Sequence, residues 1–502
     1  MPDHTPADDT AGHDTTSRIT GGPSAPQPRQ KTQPRQRTVP PQDSDGDAES
    51  DAGSNGHDGS DSRSSSDVDT GSRKSSSDVD SGSGDGGSGP DGAREGISRR
   101  TLLGTAGATG LVLGAAGGAV GYAAAPAGAT PLTSVGTEQA PFHVKHQPGI
   151  TTAMHARGHL IAFDLAPGAG RREATALLRR WSETAQRLMA GEPAPHDDTG
   201  VALDAGPSAL TVTFGLGHSF FARTGLEAQR PVALDPLPDF SSDRLDRARS
   251  NGDLWVQIGA NDALVAFHAL RALQKDTGST ARIRWQMNGF NRSPGATARP
   301  MTTRNLMGQI DGTRNPRPSE PDFDARIWVP AAPTKDPEWM ADGTYVVVRR
   351  IRMLLDDWEG LPMKDQEGII GRRKADGAAL SAGADGTETT EMELDKVDAG
   401  GDLLVPINAH ARITRPDQNG GAAMLRRPFS YHDGFDADGV ADAGLLFVCF
   451  QADPLRGFVP VQRKLDRGDA LSAFIRHESS GLFAVPGGAA EGGYVGESLL
   501  EG

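Results

Sequence analysis

A break in composition near residue 97 sets the first limit on what this chain can fold into. Up to that point the sequence is Asp, Ser, Gly, Thr, Pro and Gln with few large apolar side chains, as in Ser60-Asp61-Ser62-Arg63-Ser64-Ser65-Ser66-Asp67. Such a segment cannot bury enough apolar surface to offset the entropy lost on ordering it. Any packed core must come from the residues C-terminal to it. The net charge of −15 belongs partly to this extension and argues against nucleic acid as a general partner. With Cys449 as the single cysteine, an intramolecular disulfide and a cysteine-based zinc or iron–sulfur site are excluded.

Residues 98–129 read as an export signal. Ser98-Arg99-Arg100-Thr101-Leu102-Leu103 leads into a run from Leu102 to Tyr122 diluted by Gly and Ala, and Ala123-Ala124-Ala125-Pro126-Ala127-Gly128-Ala129 offers small-residue cleavage sites after Ala127 or Ala129. A basic pair before a weakly apolar core matches the twin-arginine type, which exports folded proteins. The alternative, a single membrane-spanning helix, suits a run richer in Leu and Ile. The expectation is a twin-arginine export partner, a destination outside the cytoplasm (extracellular, cell-envelope or periplasmic), and a cofactor inserted before export.

From about residue 140 strands and helices alternate. Gly158–Leu165, Ala209–Leu216, Leu254–Gly259 and Ala281–Met287 read as strands. Arg171–Ala190 carries apolar residues at three- and four-residue spacing, and Asp262–Leu273 places Leu264, Phe267, Leu270 and Leu273 on one expected face. A second half repeats the plan, with strands at Gly343–Met353, Gly444–Gln451 and Gly481–Pro486. It also has a helical region at Asp357–Gly371, a long loop over 374–402 and a helix expected over Asp469–Ile475. The twofold β-α-β, β-α-β order predicts an α+β protein of two ferredoxin-like domains with antiparallel sheets, over 135–325 and 326–502.

Asn305-Leu306-Met307-Gly308-Gln309-Ile310-Asp311-Gly312-Thr313-Arg314-Asn315-Pro316 sets one carboxylate between glycines and follows it with a permanent cation. Taken alone it also fits an ordinary Asp-Gly turn. Downstream, His410-Ala411-Arg412 and Leu425-Arg426-Arg427-Pro428-Phe429-Ser430-Tyr431 add an isolated imidazole and a doubled Arg beside aromatic residues. An imidazole in an apolar setting suits haem iron, and a hydrogen-bonded structural role is the alternative for His410. His143-Val144-Lys145-His146 has metal-like spacing but no evident third ligand. Val448-Cys449-Phe450 reads as buried strand, and the absence of Cys-x-x-Cys-His excludes covalent haem attachment. Trp328, Trp339, Trp358, Tyr345 and Tyr431 are candidates for packing or for relaying electrons.

Together these segments resemble the dye-decolourising peroxidases. Gly308-Gln309-Ile310-Asp311-Gly312 is similar to that family's Gly-x-x-Asp-Gly signature, and the His410 and Arg426 segments to its proximal and distal segments. Phe142–Ile150 and Gly444–Phe450 are similar to its opening segment and its haem-wall strand. The resemblance spans roughly residues 140–490. It implies a dimeric α+β barrel type of fold with one haem b per chain between the sheets. It also implies hydrogen peroxide as oxidant and phenolic or dye-like small organic electron donors.

In that scheme His410 is the proximal iron ligand, backed by the Asp469 carboxylate, with Asp466 as second candidate. Asp311 and Arg426 are the distal residues for O–O cleavage, Arg426 being preferred over Arg427. Gly312, Thr313, Arg314, Arg372 and Arg415 contact haem, the arginines at its propionates. The family's Asn-Pro-Arg after the His is Arg415-Pro416-Asp417 here. Leu445 and Phe447 wall the distal side or simply fill core. The resemblance also admits two other functions: removal of iron from haem by an exported deferrochelatase, and a non-enzymatic haem carrier or sensor.

Overall fold

The computed structural model describes residues 136–296, 302–331 and 335–502. The low-complexity extension (1–97) and the export signal (98–129) lie outside the described residues.

The first half runs β1 (Arg157–Leu165), α1 (Arg171–Met189), β2 (Thr211–Gly217), β3 (Leu254–Ala260), α2 (Ala263–Asp276) and β4 (Ala281–Phe290). Its strands lie side by side in the order β4-β1-β3-β2, all antiparallel. The second half contains β5 (Thr344–Met353), α3 (Met363–Ile370), α4 (His410–Ile413), β6 (Leu425–Arg426), β7 (Phe429–Phe435), β8 (Ala441–Gln451), α5 (Phe458–Gly468) and β9 (Ile475–Val485). Its order, β9-β5-β8-β7, is the same permutation, so the repeat expected from element order is present in the topology.

The two sheets are not separate. β2 pairs with β9 at Leu216↔Ala484 and Gly217↔Phe483, and β4 pairs with β7 at Phe290↔Ser430. With β5 paired to β8, the ring closes into a barrel, and β6 adds to β8. Closure removes the exposed edges that open sheets must otherwise protect. At the β4–β7 seam, Gly158 and Gly289 face each other across β1 and β4, and the Phe429 ring from β7 fills the notch they leave. A Cβ at either glycine would overlap that ring.

Strand alternation divides the side chains between two cores. Leu160, Trp255, Met287, Val346, Phe450 and Phe483 are among those that fill the barrel interior. Residues of opposite parity, such as Phe163 on β1, Phe214 on β2 and Ile258 on β3, pack outward against α1 and α2. Each large apolar side chain so buried contributes about 1.5–3 kcal/mol. In α1, Ala174, Leu177, Leu178, Trp181, Ala185 and Leu188 are buried as the periodicity predicts. Asp262 caps α2 by accepting from Leu264 N at 2.7 Å and Val265 N at 3.1 Å.

Three expectations need correction. The inward stripe of α2 is Ala266, Ala269, Leu270 and Leu273, while Leu264 and Phe267 are 57% and 45% exposed. Two alanines on that stripe let the helix approach the sheet closely and turn the bulkier pair outward. The helix expected over Asp469–Ile475 is only a 3₁₀ turn (Ala470–Ala473), because Ile475 already belongs to β9; the α-helix precedes it as α5. Third, the barrel interior between the two halves is filled by side chains, so a planar cofactor has no place between the sheets. The large cleft lies instead between the outer face of the second half's sheet and its own helices.

Candidate active site

The sheet wall of the cleft is built by outward positions of three neighbouring strands: Ile351 and Met353 from β5, Leu445 and Phe447 from β8, and Ile475 from β9. Helices α4 and α5 and the loop containing Asp311 enclose the rest, and the whole cleft takes in about 1680 Å³ including its open mouth. Every lining residue lies at or after Asn305.

The Asp311 loop is held by its own backbone. Arg304 and Ile310 form an antiparallel bridge, Asp311 N donates to Thr303 O at 3.0 Å, and Gly308 N donates to Asn305 O at 2.9 Å. Gly308 sits at φ +76° and Gly312 at φ +121°, conformations that favour glycine. Arg304 ties the loop to the 374–402 segment by donating to the Lys374 and Ala375 carbonyls at 2.5 and 2.7 Å. Asn315 is a residue that sequence reasoning missed. Its side chain mimics a strand by donating to Arg426 O at 2.8 Å and accepting from Arg426 N at 3.1 Å. The loop and β6 are thereby fixed to each other, and no motif announces an amide used in this way.

The pairing of Asp311 with Arg426 follows from that junction. Arg426 Nη1 donates to Asp311 Oδ1 at 2.9 Å, and both residues line the cleft. Arg427 lies one residue on along the chain and turns away. It donates to Thr152 O at 2.5 Å and Ala153 O at 2.8 Å, is buried, and its pKa is pushed down to about 10 by that burial. Alternation decides between the two arginines: Leu425, Phe429 and Tyr431 share the barrel-facing parity with Arg427.

Below the Asp311 loop, His410 opens the four-residue helix α4. Its Nδ1 donates to Asp469 Oδ2 at 2.7 Å, and Asp469 Oδ1 accepts from Leu471 N at 3.0 Å. This tautomer leaves the Nε2 lone pair for the cleft. Burial pushes the ring toward neutrality, but the Asp469 carboxylate outweighs it and holds the pKa above the usual histidine value. Arg426 opposes and Asp311 reinforces that effect. Asp466, the second candidate, instead accepts from Ser241 N and Ser242 N at 2.9 Å each.

Arginines gather around the cleft. Arg372 is buried and its pKa is pushed down to about 10, first by burial and then by the nearby Arg314 and Arg426 guanidiniums. Its Nη1 donates to Gly377 O and Glu388 O at 2.8 and 3.1 Å. Arg314 and Arg415 both pair with Glu391, at 3.0 and 2.8 Å, and Arg415 also holds Asp417 at 2.8 Å. Thr313 lines the cleft, and its buried Oγ1 has no hydrogen-bond partner. An imidazole lone pair, an apolar wall from Leu445 and Phe447, a cluster of cations and an orphaned hydroxyl fit a flat tetrapyrrole with carboxylate arms.

The other candidates do not line the cleft. Cys449 packs in the outward core, where burial pushes its thiol pKa up. His143 and His146 meet the carbonyls of Ala489 (3.3 Å) and Asp342 (2.8 Å), and His146 stacks on Trp328 with centroids 3.8 Å apart. No group of three or more metal-ligating side chains occurs among the described residues. Trp328, Trp339, Trp358, Tyr345 and Tyr431 are all buried.

Models of the N- and C-terminal domains of Dyp-type peroxidases match residues 147–291 and 302–490. The chain is 43% identical to a dye-decolorizing peroxidase of Thermobifida fusca, over 82% of this chain and 99% of that protein. It is 34% identical to a deferrochelatase of Yersinia pestis, over 72% of this chain and 85% of that protein. Among solved structures, ferric DtpA from Streptomyces lividans is 80% identical and superposes with a TM-score of 0.72, covering 74% of this chain and all of the other.

Proposed function

Given that the chain belongs to the Dyp-type peroxidase family and is a peroxidase, we propose that it holds one haem b in the cleft, reduces hydrogen peroxide and oxidises phenolic or dye-like donors. The observation that carries this reading is that one cleft is lined by both His410, backed by Asp469, and the Asp311–Arg426 pair. The haem, when bound, supplies the redox chemistry: two single-electron oxidations of donor balance H₂O₂ + 2e⁻ + 2H⁺ → 2H₂O.

The chain's own residues account for the rest. His410 Nε2 would hold the haem iron, with Asp469 raising the basicity of the ring through Nδ1. Asp311 accepts a proton from one peroxide oxygen and returns it to the other, the leaving one. Arg426 orients the Asp311 carboxylate through their 2.9 Å hydrogen bond and stabilises negative charge on the leaving oxygen. Arg314, Arg372 and Arg415 would hold the haem carboxylates, and Leu445 and Phe447 would limit water on the sheet side. The Arg99–Arg100 segment belongs to this reading as a twin-arginine signal that exports the loaded protein.

An absorption spectrum taken before and after one equivalent of peroxide tests the proposal. A rapid spectral change reversed by a phenolic donor is expected; slow bleaching alone identifies a carrier instead. The 34% identity to a deferrochelatase supports a second reading. Release of metal-free porphyrin under reducing conditions would establish it.

A further inference from the structure

At its inner end the cleft is polar, in a way the peroxide site does not use. Beyond Ile351 and Phe447, β5 contributes Arg349 and β9 contributes His477, and Gln462 of α5 lines the same region. Arg349 is 1% exposed and pairs with Asp243, which a loop of the first half lays alongside β9 through Arg244 N→His477 O at 2.9 Å. Arg349 Nε and Nη1, His477 Nδ1 and Ser242 Oγ are all buried without a hydrogen-bond partner. His477 Nδ1 lies 3.6 Å from Asp243 Oδ1, too far for a direct hydrogen bond.

Orphaned buried atoms cost about 1–3 kcal/mol each, and ordered water is the usual remedy. The orphans here are complementary: the guanidinium can only donate, and a neutral imidazole nitrogen can accept. On the far side Ser242 N and Ser241 Oγ donate to Asp466, a part-exposed residue of α5, at 2.9 and 3.0 Å.

Building on the peroxidase reading above, we infer that His477 and Asp243, with bound water between them and Arg349, form a proton relay from the Asp466 surface to the inner end of the cleft. Peroxide reduction takes up two protons from solvent for each pair of electrons. The relay supplies them without changing its own charge, because His477 accepts a proton at one ring nitrogen and releases one from the other. Burial, then the Arg349 cation, hold the His477 pKa down to about 3, so the ring rests neutral. Asp243 is held above the ordinary carboxylate range, first by burial, with Arg349 opposing. Asp466 also acts on both groups. His477 is a relay residue and not a ligand: the iron-facing imidazole is His410.

The test uses the haem-loaded full chain with His477→Gln and, should that variant fold poorly, Asp466→Asn at the surface end. At saturating donor, His477→Gln should lower kcat by roughly 10- to 100-fold. KM for peroxide and the haem-binding titration should stay unchanged, and the solvent deuterium isotope effect on kcat should rise. Asp466→Asn should shift the isotope effect in the same direction by a smaller amount. Independently of activity, a high-resolution crystal structure should show water bonded to Arg349 and His477. Unchanged kcat and isotope effect in both variants, or a dry cluster, would overturn the relay. A wild-type protein without peroxide turnover would overturn the peroxidase reading instead, and the water observation would still stand or fall alone.

Discussion

Replacing Asp469 by Asn isolates the group behind His410, the proposed iron ligand. The Asp469 side chain is 1% exposed and accepts from His410 Nδ1 at 2.7 Å and from Leu471 N at 3.0 Å. Asn keeps the size and an oxygen for Leu471, so the capped turn survives, while its NH₂ cannot accept from His410 Nδ1 and that charged hydrogen bond is lost. A hydrogen bond to a charged group is worth about 1.5–3 kcal/mol. If His410 holds the iron, losing that much predicts roughly 10- to 150-fold weaker haem binding. Removing a negative charge beside the metal also favours its reduced state, by about 60–130 mV for one electron. Haem titration into apoprotein and spectroelectrochemical reduction read the two quantities separately. Asp466→Asn serves as the control, since that carboxylate bonds to Ser241 and Ser242. If Asp469→Asn matched wild type in both measurements, the assignment of His410 as ligand would fail with it.

The adjacent arginines should part company on substitution. Arg426→Leu should slow the peroxide reaction by roughly 10²- to 10³-fold with haem retained, as for loss of one oxyanion donor. Arg427→Leu should spare that rate but cost about 1–3 kcal/mol for each carbonyl left unpaired at Thr152 and Ala153, read by stopped-flow and urea unfolding respectively. His155 should set part of the acid limit. Burial, then Arg427, push its pKa down to about 4, while the unfolded chain keeps the ordinary 6.5. Between those values only the unfolded chain takes up the proton, so stability is full above pH 6.5 and falls by about 3 kcal/mol on acidification to pH 4. His155→Gln should flatten that slope in urea midpoints measured at pH 7.5 and 5, and an unchanged slope would contradict the assignment.

The parts of the fold legible in the sequence are those where one face is buried and the other is wet. Helix α1 shows this, because its apolar stripe is also its packing stripe. Helix α5 is hidden because Pro460 interrupts the pattern, although proline is tolerated in a first turn and Phe458, Val461, Gln462 and Leu465 keep helical spacing. Closure of the barrel is not legible, since it depends on edge pairings between residues more than a hundred positions apart. At the site, His410, Asp311 and Asp469 are marked by residue type and motif. The choice of Arg426 over Arg427 is available from the parity of Leu425, Phe429 and Tyr431. Asn315 and the pairing of Asp243 with Arg349 carry no sequence signal, because each is a meeting of distant segments.

The glycine notch at the β4–β7 seam has a consequence for inheritance. The strand whose Phe429 sits against Gly158 and Gly289 begins three residues after Arg426. A methyl group at either glycine would push Phe429 out and carry the Arg426 backbone with it. The β1–β4 sheet contributes no side chain to the cleft, yet two of its positions are constrained as tightly as a ligand. Descendants that lost either glycine would keep every recognisable motif and still misalign the guanidinium. The halves therefore cannot drift or be exchanged independently, and a chimera that joins them from different lineages must carry notch and ring together.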